Sequence, residues 1–193
     1  NNFANVLRKK GHTVFIFAPK IKGYKDQDDN IIRLSSIKIL RNTEPNIYFP
    51  LIWPNKEFRK MFSEDFDIIH AHGNGFYSLL GYFISKIKKA PFVMTFHVIH
   101  THYVHYIFNG KLITPKMVSK IFKIFAKRCQ AVIVPSLKMK LELESYGLKK
   151  NIPYVIPNFL EEGKFKSNEK GYLHKRLNLD KDISIILTVS RIG

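Results

Sequence analysis

Short runs of apolar residues alternate with longer segments of helical periodicity along most of the chain. The runs have the length of strands that are buried on both faces of a parallel sheet. They are Thr13–Phe17, Ile31–Leu34, Asp67–Ala71, Phe92–Phe96, Ala131–Val134, Tyr154–Ile156 and Ile183–Val189. The segments with helical period are Lys56–Ser63, Phe76–Lys88, Pro115–Arg128 and Leu137–Tyr146. This alternation predicts an α/β fold with a doubly wound parallel sheet, whose ligands bind at the carboxyl ends of the strands.

The chain carries a large excess of positive charge. Its 193 residues include 32 Lys and Arg against 15 Asp and Glu, which gives a formal net charge of +17. Such an excess favours an anionic partner, and nucleic acid, anionic lipid and nucleotide phosphates are the candidates. The single cysteine, Cys129, excludes an internal disulfide and indicates a reducing, cytoplasmic location. The longest apolar stretch, Gly75–Ile84, is shorter than the roughly 20 residues of a membrane-spanning helix.

The composition divides the chain into one domain and the beginning of another. After residue 158 the sequence is polar and rich in lysine as far as Asp182, and a last apolar run follows. We therefore predict a domain over residues 1–163, a linker over 164–182 and the first strand of a second domain over 183–193. Because the first residues have the pattern of the end of a helix, we expect a domain that is truncated at both ends.

Histidines lie at the ends of two neighbouring predicted strands, and glycines follow the first of them. His70 and His72 precede Gly73 and Gly75 at a step from strand to helix, where glycines let backbone N–H groups approach a ligand. The alternative is a histidine hydrogen-bonded in the core beside glycines that only turn the chain. His97 ends the next strand, and histidine can hydrogen-bond a sugar hydroxyl or share a proton with a leaving group. We therefore predict that His97 is the catalytic residue.

The same part of the chain holds six histidines without the spacing of a metal site. They are His70, His72, His97, His100, His102 and His105. No carboxylate accompanies them at a known signature spacing, and the sequence has no His-Glu-x-x-His motif. We therefore predict that the protein has no metal site here.

The predicted helix Pro115–Arg128 is basic and amphipathic. Its cationic face holds Lys116, Lys120, Lys123 and Lys127, and its apolar face Met117, Val118, Ile121, Phe122, Ile124 and Phe125. The simplest interpretation is a helix packed on the core with a solvated lysine face. Residues 111–150 hold ten Lys and Arg but only two acidic residues. We therefore also predict contact of this region with anionic lipid headgroups. Nucleic acid is not expected as a partner, because no known binding signature is present and the aromatic residues fall at core positions.

Motifs of other enzyme classes are absent from the sequence. It has no Gly-x-Ser-x-Gly, no phosphate-loop Gly-Lys-Ser/Thr and no Gly-x-Gly-x-x-Gly. This argues against a serine hydrolase, a phosphate-loop NTPase and a typical nicotinamide enzyme. Ser136 follows a predicted strand at a position where Ser caps a helix, and capping alone explains it.

Six segments, taken in order, resemble motifs of the N-terminal half of family 4 retaining glycosyltransferases, which have the GT-B fold. The segments are Leu7–Val14, Asp67–His72, Pro91–His97, Ala131–Ser136 with Tyr146–Gly147, Tyr154–Asn158 and Val189–Ile192. Asp67–His72, for example, resembles the family's D-(V/I)-(V/I)-H-x-H. The stretches His97–Tyr106 and Arg128–Ser136 are most similar to the bacterial branch that glucosylates diacylglycerol.

This resemblance implies a Rossmann-like GT-B N-terminal domain that takes the acceptor, and a second domain that holds the sugar nucleotide. It implies transfer of a hexosyl group from UDP- or GDP-hexose to a membrane lipid such as diacylglycerol, with retention and without a tightly bound cofactor. The expected location is cytoplasmic, peripheral on the inner face of the plasma membrane. The family's first strand, its glycine-rich loop and its paired glutamates have no counterpart in these residues, so we expect this fragment alone to be inactive.

The resemblance also assigns roles to individual residues. His97 lies near the transferred sugar, and Arg191 contacts the donor diphosphate through its planar fork. The acceptor side is formed by His72, Gly73, Asn74, Gly75, His102 and Tyr106. The membrane contact is formed by Lys116, Lys120, Lys123 and Lys127. Two alternatives remain open, namely a glycosyltransferase for a soluble sugar or cell-wall glycan, and a non-catalytic basic module that binds membrane or nucleic acid.

Overall fold

The computed structural model describes residues 2–24, 26, 28–39, 47–73, 75–97, 114–148, 153–158 and 171–188. The chain forms two compact units, one over residues 3–158 and one over residues 159–193.

The first unit alternates strands and helices as the sequence predicts. Its elements are α1 Asn2–Lys9, β1 Ile16–Pro19, β2 Ile31–Leu34, β3 Ser36–Lys38, β4 Tyr48–Pro50, α2 Lys56–Ser63, β5 Ile69–His72, α3 Phe76–Lys88, β6 Phe92–Thr95, α4 Pro115–Ala126, β7 Ala131–Val134, α5 Leu137–Ser145 and β8 Tyr154–Val155. The second unit contains one described helix, α6 Tyr172–Leu177.

A four-stranded parallel sheet carries most of the first unit. Its strand order is β5-β6-β7-β8, so each strand pairs with the next one along the chain. Parallel neighbours need a crossover, and the helices between these strands supply it. A second parallel pair joins β1 to β2, and β3 pairs with β4 in the antiparallel sense. The predicted α/β fold with a parallel sheet is confirmed.

The core of this unit lies between the four-stranded sheet and its helices. β6 is buried along its whole length, as its uninterrupted apolar run predicts. On one side, Phe96 stacks on Phe122 of α4, with ring centroids 4.7 Å apart, and both side chains are buried. Complete burial of one such side chain stabilises the fold by roughly 1.5–3 kcal/mol. A second cluster joins β2 to α2 and α3 through Leu34, Met61 and Ile84.

Two features near the N-terminus differ from the prediction. β1 begins at Ile16 rather than at Thr13, because it pairs with β2 in the register Ile16↔Ile31 and therefore starts where its partner starts. It is half-buried rather than buried on both faces. The β3–β4 hairpin was missed, because Pro45, Pro50 and Pro54 predict an irregular stretch over Asn42–Pro54. Among the described strands β4 pairs only with β3, and Pro50 is tolerated on such an edge strand despite its missing N–H.

The predicted last strand is not formed over the residues that are described. Residues 183–188 make no strand pairing with any described strand, and the Ile186 side chain is 95% exposed. A strand depends on a neighbour for its hydrogen bonds, so an apolar run without one stays irregular. The predicted linker 164–182 contains α6, which was not expected. The division of the chain at residues 163 and 182 stays a prediction.

Candidate functional site

The pairing of β5 with β6 brings the strand-end histidines together. The register sets His72 opposite Thr95, and side chains two residues apart share a face of a sheet. His70 and His72 of β5 therefore lie on the same face as Thr95 and His97. The intervening residues, such as Met94, point to the opposite face and are buried in the core. Side chains alternate between the two faces of the sheet along both strands, so one face is apolar and the other carries the imidazoles.

His72 and His97 form a hydrogen-bonded pair at the carboxyl ends of these strands. The Nδ1 atom of His72 lies 2.9 Å from Nε2 of His97, and the two rings are within 13° of parallel. His70 stacks on the other side of His72, with ring centroids 4.4 Å apart. His70 Nε2 is 2.7 Å from the Thr95 hydroxyl oxygen. Three imidazoles therefore stand in a row that ends at the exposed ring of His97.

The Phe3 side chain of α1 packs against the two inner imidazoles. Its ring meets those of His70 and His72 edge to face, with centroids 5.7 Å and 6.2 Å away. This contact helps to shield His70, which is half-buried, whereas His72 and His97 keep a solvent-exposed surface. Phe3 carries no sequence signal for this role, because a contact between a helix and a distant strand has no local pattern. Thr95 could have been found, since it lies two residues before His97 and shares its face.

Burial determines the protonation of the two inner histidines. It lowers the pKa of His70 to about 4, and neighbouring His72 and His97 contribute in the same direction. Burial also lowers the pKa of His72, with a further contribution from His97. Both rings are therefore neutral near pH 7, and a neutral imidazole has one donor and one acceptor nitrogen. The His72–His97 contact consequently holds one proton, donated by one ring and accepted by the other.

A glycine turn joins β5 to α3 beside this pair. Gly73 has a φ of +83°, which strains any residue with a side chain. Its N–H donates to the Thr95 carbonyl over 2.8 Å, and its carbonyl accepts the Ser78 hydroxyl over 2.6 Å. Gly75 is the N-cap of α3 and provides no side-chain cap. Backbone N–H groups at such a helix end attract oxygen-rich or anionic groups.

The structure thus brings together His72, His97, Gly73 and Gly75 of the predicted site. Four predicted site residues lie outside the described residues and have no position here: Asn74, His102, Tyr106 and Arg191. Within the described ranges, no group of three or more His, Cys, Asp or Glu side chains is arranged to hold a metal ion.

Helix α4 exposes its lysines but buries a narrower apolar stripe than predicted. Lys116, Lys120 and Lys127 are exposed and Lys123 is half-buried. The buried residues are Val118, Phe122 and Ala126, one helical turn apart. Met117, Ile121 and Ile124 belong to the apolar face of the sequence but are 49%, 43% and 41% exposed, so the packed stripe is narrower than that face. These three residues lie beside the buried stripe on the helix surface.

Comparisons with known proteins agree with these features. A family model described as Glycosyltransferase Family 4 matches residues 1–163. Alpha-monoglucosyldiacylglycerol synthase from Streptococcus pneumoniae (strain ATCC BAA-255 / R6) is 31% identical over 193 aligned residues. The alignment covers 97% of this chain but 43% of that relative, so the chain spans less than half of the relative's length. No solved structure matches the chain significantly. The chain belongs to glycosyltransferase family 4.

Proposed function

We propose that the intact protein transfers a hexosyl group from a nucleotide sugar, UDP- or GDP-hexose, to a membrane lipid such as diacylglycerol, with retention at the anomeric carbon. In this proposal the present chain supplies the acceptor side of the reaction site. The observation that carries it is the His72–His97 pair at the carboxyl ends of β5 and β6, in a chain of this family. The choice of a lipid acceptor is supported by the relative, whose name describes synthesis of a glucosylated diacylglycerol.

His97 is the catalytic residue of the proposal, and His72 positions it. The exposed His97 ring can reach a sugar hydroxyl, while its Nε2 is held by His72 Nδ1 at 2.9 Å. Because His72 is itself held between His70 and Phe3, it restricts the rotation of the His97 ring. A fixed ring stabilises a transition state better than a freely rotating one, since the cost of orientation has been met in advance.

The remaining groups bind the two substrates. The backbone of Gly73 and Gly75 lines the acceptor side, together with Asn74, His102 and Tyr106. Arg191 pairs with the donor diphosphate, whose negative charge grows as it leaves. The nucleotide sugar acts as a co-substrate, and no tightly bound cofactor takes part. Catalysis then consists of orientation and charge stabilisation rather than covalent chemistry by the protein.

The lysines of α4 supply an electrostatic contact with the membrane. Lys116, Lys120 and Lys127 are exposed along one helix, with Lys123 half-buried between them. Each cation near an anionic bilayer surface contributes about 1 kcal/mol of attraction. Among the described residues, no helix combines the length and apolar character needed to cross a bilayer. From the exposed lysines and the lipid-directed relative, we propose a peripheral enzyme on the inner, cytoplasmic face of the plasma membrane.

An acceptor panel tests this function. The intact protein is incubated with labelled UDP-glucose or GDP-mannose, and with diacylglycerol in anionic vesicles, a soluble disaccharide or a cell-wall glycan. We expect label in the diacylglycerol product with retained configuration. Label in the disaccharide or glycan alone would replace the lipid acceptor by a soluble one. No label with any acceptor would favour a non-catalytic basic module.

A further inference from the structure

Hydrophobic side chains crowd the surface at the β3–β4 hairpin and in the segment that follows it. We call this surface the hairpin patch, and its members are Ile37, Ile39, Phe49, Leu51, Ile52, Trp53 and Phe76. Ile37, Ile52 and Trp53 are 55%, 65% and 71% exposed. Single exposed apolar residues are ordinary on protein surfaces, but a contiguous set of this size marks an interaction site.

The hairpin register places several members of the patch next to one another. Ile37 pairs directly with Phe49, so these side chains lie next to each other on one face. Ile39 lies two residues further on the same face, with its N–H bonded to the Ile47 carbonyl over 2.9 Å. Phe49 meets Phe76 edge to face, with ring centroids 5.0 Å apart. The patch therefore runs from the hairpin onto the first residue of α3.

The backbone holds the most exposed side chains in place. The N–H of Leu51 donates to the Ser35 carbonyl over 2.8 Å, which fixes the start of the segment. Two hydrogen bonds between residues two apart follow. The Trp53 N–H donates to the Leu51 carbonyl over 3.0 Å, and the Asn55 N–H donates to the Trp53 carbonyl over 2.7 Å. The Asn55 side chain then caps α2. Ile52 and Trp53 are thus displayed on a short, pinned segment between a strand and a helix.

The patch ends at the start of α3, directly after the glycine turn that follows His72. Phe76 follows Gly75, the N-cap of α3, and Gly73 is bonded to the Thr95 carbonyl next to the imidazoles. An apolar chain resting on the patch would therefore have its polar end close to the candidate site. This arrangement suits an acceptor that is apolar at one end and carries a hydroxyl at the other.

The charges around the patch favour an anionic bilayer over a protein partner. Lys56 and Arg59 are both exposed, and they follow Trp53 on the first turns of α2. Tryptophan prefers the interfacial layer of a membrane, where its ring is buried and its N–H stays hydrated. Exposed apolar residues flanked by cations are the composition of interfacial membrane anchors, whereas the cores of protein interfaces are depleted of lysine.

We propose that the hairpin patch inserts into the interfacial layer of an anionic phospholipid bilayer and so brings the histidine site to the lipid acceptor. The proposal rests on the proposed lipid-directed function and adds the surface that enters the membrane. It differs from the contact of the α4 lysines, which attracts the protein to the surface without burial of apolar side chains.

Trp53 reports directly on this insertion, because it is the sole tryptophan of the sequence. The 193-residue chain is mixed with vesicles of phosphatidylglycerol and phosphatidylcholine, and binding is measured independently by flotation. We expect a blue shift of the tryptophan emission on binding, and quenching by lipids brominated on the upper part of the acyl chain. An unchanged, unquenched emission from vesicle-bound protein would overturn the proposal, as would the absence of binding.

A double variant and a matched control complete the test. Leu51→Ser with Ile52→Ser keeps Trp53 and removes apolar area that bilayer insertion would bury, so we expect vesicle affinity to fall at least about tenfold. Leu141→Ser on α5, where Leu141 is 57% exposed, should leave affinity unchanged. Equal affinities of wild type and double variant would overturn the proposal, as would a blue shift that depends on protein concentration without vesicles, which indicates self-association.

The binding measurement needs no transfer activity, so the two proposals can fail separately. If Trp53 enters the bilayer but the intact protein glycosylates no lipid, the proposed function is wrong and the membrane surface stands. If lipid is glycosylated while Trp53 stays in water, the acceptor reaches the site by another surface and the hairpin patch has no part in it.

Discussion

At the scale of single residues, the surroundings of His70 favour its neutral form. The half-buried ring lies between Phe3 and His72, and its Nε2 is hydrogen-bonded to Thr95. Its pKa therefore falls from 6.5 to about 4 in the folded protein. Between these pH values the unfolded chain binds more protons than the folded one. The contribution of neutral His70 to the free energy of unfolding is therefore complete above about pH 6.5 and is lost as the pH falls towards about 4.

Replacing His70 with Asn tests this dependence. The amide can still hydrogen-bond Thr95 but does not titrate, so the variant should lose less stability on acidification than the wild type. We expect the difference between the two free energies of unfolding to change by on the order of 1 kcal/mol between about pH 7 and about pH 5. Urea titrations of both proteins at the two pH values measure it. Parallel losses in the two proteins would show that the His70 pKa is not lowered.

His72 offers a second prediction at this scale. Leu in place of His72 removes the contact that holds His97 Nε2, so kcat of the intact protein should fall about tenfold or more with a smaller change in KM. Asn in place of His72 keeps an acceptor near the position of Nδ1 and should restore part of the activity. The pH profile of kcat should also shift in the Leu variant, because His97 loses its proton partner. Equal activity and an unmoved pH profile in the Leu variant would remove His72 as a positioning residue.

At the scale of secondary structure, three of the helices that the structure describes begin with a side-chain cap. Asn55, Thr114 and Ser136 each accept the backbone N–H three residues further along. The role of Ser136 was predicted from its position after a strand, and it is confirmed. Ser136→Ala should lower the free energy of unfolding by about 1 kcal/mol, whereas Ser136→Asp should keep the cap. Chemical denaturation measures both, and equal loss in the two variants would contradict a capping role.

The packing of α4 provides a sharper contrast on one helix. Phe122 is 1% exposed and stacks on Phe96, whereas the adjacent Ile121 is 43% exposed. Phe122→Ala should therefore cost about 3–5 kcal/mol of stability, and Ile121→Ala well under 1 kcal/mol. Similar losses from both variants would mean that α4 packs through a different face.

The secondary structure was predictable wherever the apolar period was regular and long enough. The bounds of β2, β7 and α3 agree with the prediction, because each element is bordered by polar or turn residues. The sequence also placed His72 and His97 at the ends of two neighbouring strands, whereas their hydrogen bond is known only from the structure. The β3–β4 hairpin could not be predicted from the sequence, because three-residue strands carry too little pattern to outweigh nearby prolines.

What escaped prediction depends on contacts between elements distant along the chain. The packing of Phe3 on the imidazoles and the exposure of Ile121 are decided by which surfaces meet, and helical period alone does not specify this. Residues 183–188 give a further example. Their apolar run predicts a strand, but such a run forms a strand only beside a pairing strand.

At the scale of the whole molecule, the net charge of +17 should make membrane binding sensitive to salt. Position matters as well as total charge. Lys120→Gln with Lys127→Gln should weaken flotation with anionic vesicles by about tenfold. Lys10→Gln with Lys22→Gln removes the same charge from two other exposed sites and should have a smaller effect. Equal losses in the two double variants would indicate attraction by net charge alone, without a contact through α4.

The most direct test of the central claim is transfer of labelled hexose to diacylglycerol in anionic vesicles by the intact protein, compared among wild type, His97→Ala and His12→Ala. His12 is another exposed histidine, outside the predicted site residues, and serves as the control. We predict that His97→Ala lowers lipid glycosylation by about a hundredfold or more with its fold intact, and that His12→Ala retains activity. Undiminished transfer by a folded His97→Ala variant would contradict the account.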